Sequence, residues 1–572
     1  MDASSSTDKP TVAEAYLSAL YKHGIRMVFA NGGTDFAPIV EGLLRTRERG
    51  TTVPRFVTVP HENVAVAIAS GFYKVSGTPA AVMVHTTVGT ANALCGIMNA
   101  DRGNVPMLLA AGRSPWTERG HPGSRNNGIH WSQENFDQAA MLRQYTRWDY
   151  ELRSGQPVNT VVGRALDIAM TDPKGPVYLT LPREVLGDAA VDPGPEPRER
   201  PLGALSPAPS AEAIARVAKL IAGAERPLII GGVPESFFDL GALAQEHAIA
   251  CAPGAGGNMP SSHPMNLGAP NEALLAWADV IVVLESPVPW IPRFIRPKAD
   301  TKLIHIGIDP NFARYPYRGF EMDMAVAGSV AQAIPMLNEA LKAEGRKNAA
   351  RIDARRKELA AMRDAVADRR RKVIERGKTQ RPISNAWVAH CLNQVKQKDA
   401  IISNELGVPA PFVDIEQPGC WLATGGSAGG LGKGVGEAIG AKFAAPDRQV
   451  IALVGDGSYM FNVPSACHFV ERTENVPTLT IISNNAQWYA VRNAAELMYP
   501  SGRVTGANSL PVVDLSPSVA YEKLVEFAGG YGERVEDPSQ VTGAIERGLR
   551  AVADGNPAVL NIAVAAGGRA QD

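Results

Sequence analysis

Short apolar runs recur along this chain with helical patterns between them: MVFA, AAVMVH, PMLLAAG and GPVYLTLP early, PLIIGG, DVIVVLE and KLIHIGID in the middle, VIALV, PTLTIIS and NPAVLNIAV late. A strand that is apolar on both faces is covered on both faces, and its neighbours are then parallel strands joined by helical crossovers. The expected fold class is therefore α/β, built of doubly wound parallel sheets. With 572 residues the chain exceeds what one hydrophobic core supports, and a length of about 150 residues per domain implies about three or four domains.

Composition removes several function classes. There are 57 basic and 58 acidic residues, a formal net charge of -1, so nothing draws the chain to nucleic acid or to an anionic membrane, and small molecules are the expected partners. The five cysteines are scattered without CxxC spacing, which implies neither a disulfide framework nor a zinc site and suits a reducing cytoplasm. The start, MDASSSTDKP, lacks the pattern of a signal peptide, and no apolar run approaches the roughly 20 residues that span a bilayer. The proline-rich stretch Asp192 to Ser210 reads as a linker. Gly345 to Arg381, dense in charges of both signs with Ile352, Leu359, Met362 and Val366 at helical spacing, reads as a solvated helix and connector.

The segment from Gly455 to Asn485, GDGSYMFNVPSACHFVERTENVPTLTIISNN, carries the chemistry. A buried strand, VIALV, runs into Gly455, Asp456, Gly457 and Ser458. These offer backbone N–H groups to phosphate, one carboxylate for a hard cation, and one hydroxyl at a helix start. The next apolar run ends at Asn484-Asn485, returning an amide oxygen to the same sheet edge, and Gln487 lies two residues on. Magnesium takes six oxygens, which one carboxylate, one amide, one backbone carbonyl, two phosphate oxygens and a water would supply, and Asp456, Asn485 and Gln487 are the candidate metal ligands. Upstream, Ala423 to Lys442 is a glycine-dense entry into a helix with Leu431 as the large apolar side chain in its tight part, and Phe56 to Gly77 places His61 and Glu62 where a strand meets a helix.

With these motifs in this order, the chain resembles the thiamine diphosphate-dependent 2-oxo acid decarboxylase and acetolactate synthase family from about residue 10 onward. The resemblance implies a pyrimidine-binding domain (10–190), a central Rossmann-like domain (205–345), a charged helical linker (346–381) and a diphosphate-binding domain (382–572). It implies thiamine diphosphate and Mg2+ as cofactors, with Glu62 activating the pyrimidine ring and Leu431 wedging the cofactor into a bend. Gly429 would offer a carbonyl to it, and Gly455, Asp456, Gly457, Ser458, Asn485, Gln487, Trp488 and Tyr489 would surround it. His85 aligns with the active-site histidine of benzoylformate decarboxylase and Thr34 with its serine, while Gln133, in IHWSQENFDQ, matches the glutamine loop of acetolactate synthases and benzaldehyde lyase.

Two departures stand out. Pro292 falls where benzoylformate decarboxylase has a second histidine, and the RFDDR signature of acetolactate synthases is missing, so no FAD is expected. The implied reaction is decarboxylation of a 2-oxo acid followed by protonation or carboligation. A homodimer or homotetramer with active sites between subunits is implied as well. Cleavage of 2-hydroxyacyl-CoA or acyloin bonds is the alternative reaction class, and a catalytically silent cofactor-binding relative is a third reading. His61, His121 and His130 receive no role from the sequence, and only AAGGRAQD follows the last strand, little material for a C-terminal lid.

Overall fold

The computed structural model describes residues 9–566 apart from 193, 232–239, 254–257, 346–347 and 424–427. The opening of the glycine-dense stretch and the terminal GGRAQD lie outside the described residues. The strands form three all-parallel sheets, as expected of buried apolar runs linked by helices.

The first sheet holds β1 (Met27–Ala30), β2 (Arg55–Thr58), β3 (Ala81–Val84), β4 (Leu108–Arg113), β5 (Asp149–Glu151) and β6 (Val177–Pro182), in the order β2-β1-β3-β4-β6-β5. The second holds β7 (Pro227–Ile230), β8 (Ala250–Ala252), β9 (Val280–Leu284), β10 (Lys302–Gly307) and β11 (Met324–Ala327), in the order β11-β10-β9-β7-β8. The third holds β12 (Ile401–Glu405), β13 (Trp421–Ala423), β14 (Val450–Gly455), β15 (Leu479–Asn484), β16 (Tyr531–Val535) and β17 (Ala558–Ala563), in the order β13-β12-β14-β15-β17-β16. First and third sheets thus share one winding. In each, the first and third strands in chain order pair directly while the chain runs off to opposite sides.

The chain divides into two compact units, one drawn from 1–205, 427–446 and 461–476, the other from 206–426, 447–460 and 477–572. In the first unit the helix Val12–Lys22 opens with a capping box, Thr11 accepting from Glu14 N while the Glu14 carboxylate takes Thr11 N–H at 2.8 Å. It buries Tyr16, Leu17 and Leu20 in a core shared with Val28, Met83, Leu108 and Leu179. The helix Glu62–Ser76 starts at His61, whose Nδ1 accepts Asn63 N–H at 3.2 Å, and stops at Gly77 in the left-handed conformation. It lies along the helix Gly434–Ala444, joined by a buried Lys74–Glu437 ion pair at 2.9 Å. Burial pushes the Glu437 carboxyl up, but the ammonium groups of Lys433 and Lys74 outweigh it and hold it below its ordinary value.

In the second unit the central and last sheets each have their own core. The charged stretch between them is a helix of 29 residues, Ala349–Gly377, which is more than a solvated connector. Leu359 is buried with the central core, Val373 and Ile374 pack on the last one, and buried Arg355 donates to Ile221 O at 2.9 Å. No helix among the described residues is long and apolar enough to cross a membrane.

Candidate functional site

In an open parallel sheet, ligands lodge at the carboxyl ends of the strands beside the point where the winding reverses. In the first sheet that point lies between β1 and β3. The chain leaving β1 reaches Thr34 and Asp35, the chain leaving β2 reaches His61 and Glu62, and the chain leaving β3 reaches His85, which caps the helix Thr86–Arg102. Asp35 is 3% exposed, and its Oδ1 lies 2.5 Å from His85 Nδ1. The pair exists because two glycines make room for it. A Cβ at Gly33 would fall 2.1 Å from His85 Nδ1, and one at Gly112 would fall 1.8 Å from Asp35 Oδ2.

The hydrogen bond to Asp35 raises the His85 pKa, burial lowers it, and the charges of Asp35 and Glu62 raise it further, leaving the net value above 6.5. With Nδ1–H donated to Asp35, Nε2 is the working nitrogen. Gln133 Nε2 lies 2.9 Å from it, so Gln133, expected on a loop, meets the histidine directly. Glu62 is buried at the first position of its helix, where the positive helix end favours a carboxylate, and Asn92 Nδ2 donates to its Oε2 at 3.1 Å. Thr34, the expected serine counterpart, is exposed, and its Oγ1 is 3.5 Å from His130 Nε2. Asp35, one residue on, is the partner that sequence reasoning missed. An acid in a Gly-Gly-Thr-Asp loop directly after a strand was the available signal.

The remaining histidines acquire structural duties. His61 caps a helix, and His121 binds Asp188 Oδ1 at 3.1 Å while accepting Gly123 N–H. His130 is buried, and burial and the charges of Arg183, Arg125 and His85 lower its pKa. The glycine turn is held on the same unit. Asn99 Oδ1 accepts the amides of Ala428 and Gly430, both at 3.1 Å, its Nδ2 donates to Gly430 O at 2.9 Å, and Asn63 Nδ2 donates to Gly432 O at 3.3 Å. Gly429 stands at φ +84 inside this clamp, a conformation that favours glycine, and Leu431 follows half-buried.

The last sheet carries the second cluster. Its winding reverses between β12 and β14, and Asp456 opens the helix Asp456–Phe461 at the end of β14. Its Oδ1 accepts Gly457 N–H at 2.9 Å, whereas its Oδ2 is buried with no hydrogen-bond partner among the described residues. Burial raises the Asp456 pKa, and the amides of Gly457, Ala486 and Gln487 bring back only part of the rise. At the end of β15, Asn484 is a scaffold residue, donating to Asn561 Oδ1 at 2.8 Å and to Ser518 Oγ at 2.7 Å. Asn485 Oδ1 accepts Gln487 N–H at 3.1 Å, and Gln487 is buried. The Trp488 ring lies over Gly457, where a Cβ would come within 2.1 Å of it, and Tyr489 begins the next helix. Ser458 is buried under the turn. Among the described residues no three His, Cys, Asp or Glu side chains gather as a metal site. The donor set of one unsatisfied carboxylate oxygen with amide oxygens instead suits a hard, oxygen-seeking cation.

These two clusters coincide with recognised sequence families. Residues 10–141 match the thiamine pyrophosphate enzyme N-terminal TPP binding domain, and residues 406–562 match the corresponding C-terminal TPP binding domain. The chain is 26% identical over 557 residues to a probable acetolactate synthase of Mycobacterium bovis, covering 94% of this chain and 93% of that protein. It is also 26% identical over 509 residues to benzoylformate decarboxylase of Pseudomonas aeruginosa, covering 84% and 87%. Among solved structures, benzoylformate decarboxylase from Polynucleobacter necessarius shares the fold at a TM-score of 0.76 and 19% identity, over 98% of this chain and 99% of that one. The chain belongs to the thiamine pyrophosphate enzyme family.

Proposed function

We propose that this chain is a magnesium-dependent lyase and carboligase of 2-oxo acids, releasing carbon dioxide and then either protonating the product to an aldehyde or joining it to a second carbonyl compound. The observation that carries the reading is the Asp35–His85–Gln133 chain at the switch point of the first sheet. It is a proton donor and acceptor at a place where ligands lodge.

Thiamine diphosphate, when bound, supplies the electron sink for cleavage beside a carbonyl. Glu62 would share a proton with the pyrimidine ring, Gly429 would offer it a carbonyl, and Leu431 would support the bend. Asp456, Asn485 and Gln487 would hold magnesium. Gly455, Gly457 and Ser458 would donate to the diphosphate, with Trp488 and Tyr489 as a wall. Asp35 keeps the His85 Nδ1 proton in place, so proton delivery and removal occur at Nε2. Gln133 follows the charge. Its amide nitrogen faces Nε2 while its Oε1 is buried without a partner, so an amide rotation would present an acceptor once Nε2 is protonated. Thr34 and Gln133 would contact the substrate's polar groups.

The four stretches 10–190, 205–345, 346–381 and 382–572 would serve as pyrimidine-binding, central, linker and diphosphate-binding parts, in a homodimer or homotetramer with sites between subunits. A screen for carbon dioxide release from pyruvate, benzoylformate and oxalyl-CoA, with thiamine diphosphate and magnesium, tests the reaction. Release from a 2-oxo acid is the expected result. Cleavage of acyloins alone, or turnover of the CoA ester alone, would reject it. Subunit exchange between Glu62→Gln and Asp456→Ala proteins tests the assembly, because sites shared between chains regain activity in part and sites built within one chain do not.

A further inference from the structure

The helix Ala349–Gly377 forms one wall of a cavity of about 760 Å³ within the second unit, and none of the residues around it belongs to the two clusters described above. We propose that this cavity binds an organic oxyanion, a carboxylate or phosphate monoester attached to a flat apolar group.

Cations crowd one side of the cavity, and two of its buried donors lack acceptors among the described residues. The helix presents Arg363, Arg369, Arg370 and Arg371 to the cavity, Lys378 follows just past its end, and His390 joins them; Arg371 pairs with Asp368 at 2.8 Å. Lys378 is paired with Glu375 at 2.7 Å and Arg370 with Asp414 at 2.6 Å. No carboxylate among the described residues lies within 4.0 Å of the guanidinium groups of Arg363 or Arg369. Arg363 is fixed by donation to Ser261 O at 2.5 Å and Asn266 O at 3.0 Å, so one cation is positioned in advance by backbone carbonyls. Trp421, 3% exposed, lines the same cavity with an indole N–H that finds no acceptor among the described residues, and the buried Nε of Arg370 finds none there either. Buried donors normally find acceptors, so the Trp421 N–H and the Arg370 Nε suit an acceptor-rich guest.

Met259, Phe412 and Ile415 give the cavity an apolar side, while Ser261, Asn266 and the Lys378-paired Glu375 line it as well. The apolar side suits the body of the ligand, as the arginines suit its head. Crowding among the cations points the same way. Burial and then the charge of Arg370 lower the pKa of both Arg363 and His390, with Asp414 as the opposing charge on each.

The test is calorimetric titration of the full chain, saturated with cofactor, against phenyl phosphate and benzoate, with inorganic phosphate and benzyl alcohol as the separated halves. At least one aryl anion should bind once per chain and more tightly than either half, and the preferred anion identifies the oxyanion. Arg363→Gln should weaken binding by about tenfold or more, the loss of one charge-assisted hydrogen bond. Arg369→Gln, which alters an exposed side chain, and Trp421→Phe, which keeps the ring and removes the N–H, should each weaken it severalfold. His85→Phe should leave it unchanged, separating this cavity from the first-sheet cluster. Absence of binding by both aryl anions, equal affinity for a half, wild-type affinity in both Arg369→Gln and Trp421→Phe, or loss of binding in His85→Phe would overturn the proposal.

Discussion

The first and last sheets are wound identically, and each places a titratable side chain directly after the third of its strands, His85 after β3 and Asp456 after β14. Their surroundings differ completely. His85 is half-buried, carries a carboxylate on one nitrogen and an amide on the other, and has its pKa raised by that carboxylate. Asp456 is 3% exposed, keeps one oxygen without a partner, and has its pKa raised by burial. The same topology therefore supplies the same address, and the partners at that address decide its use. One site suits proton transfer. The other suits a cation.

Four substitutions break or sharpen this contrast. The largest effect is expected at Asp456→Ala, which removes the unsatisfied carboxylate. Calorimetric titration should find thiamine diphosphate binding in the presence of magnesium abolished, and retained affinity would end the assignment. Glu62→Gln preserves shape while removing a proton-sharing group, so cofactor binding should persist while the turnover rate falls by about 10²- to 10⁴-fold.

Asp35→Asn is milder, about tenfold in rate, and its signature is a pH shift. The folded His85 pKa is raised above the unfolded 6.5, so the pair's stabilisation is fully present below 6.5 and is lost as pH rises through the folded value. Replacing Asp35 removes the chief cause, and the limb of the rate profile that requires protonated His85 should move to lower pH. An unmoved limb would deny Asp35 its positioning role. The smallest effect is expected of Asp456→Asn on the protein free of metal and cofactor. The folded Asp456 pKa is raised, so its stabilising effect exists below the unfolded 3.8 and is lost as pH rises through the folded value. At neutral pH the amide should therefore raise the thermal midpoint, on the order of 2 °C. A drop would show that the ionised carboxylate is already compensated.

Much of this architecture was legible in the sequence, and what was missed follows a pattern. The mostly apolar runs became central strands such as β3, β4, β9, β14, β15 and β17, because burial on both faces favours apolar side chains. The edge strands β5, β11, β13 and β16 are short, charged or half-exposed, as in DYE and YGERV, and were not legible as runs. In the site, Asp456 stood out because it directly follows a strand in a turn of glycines, and Glu62 because it opens a helix just past a strand. Asp35 did not stand out, since an acid beside a glycine pair reads equally well as a turn.

Strand order was beyond the local pattern too, because parallel neighbours are separated by whole helices in the chain. The sequence by itself determined where strands end and which polar residues follow them, because those choices depend on neighbours a few positions away. Only the tertiary structure decided that Asp35 meets His85 across 50 residues, that Gln133 reaches the other nitrogen, and that Asp456 Oδ2 is left without a partner. Those outcomes depend on which strand ends become neighbours and how much water remains between them, and neither quantity is written in any short stretch of chain.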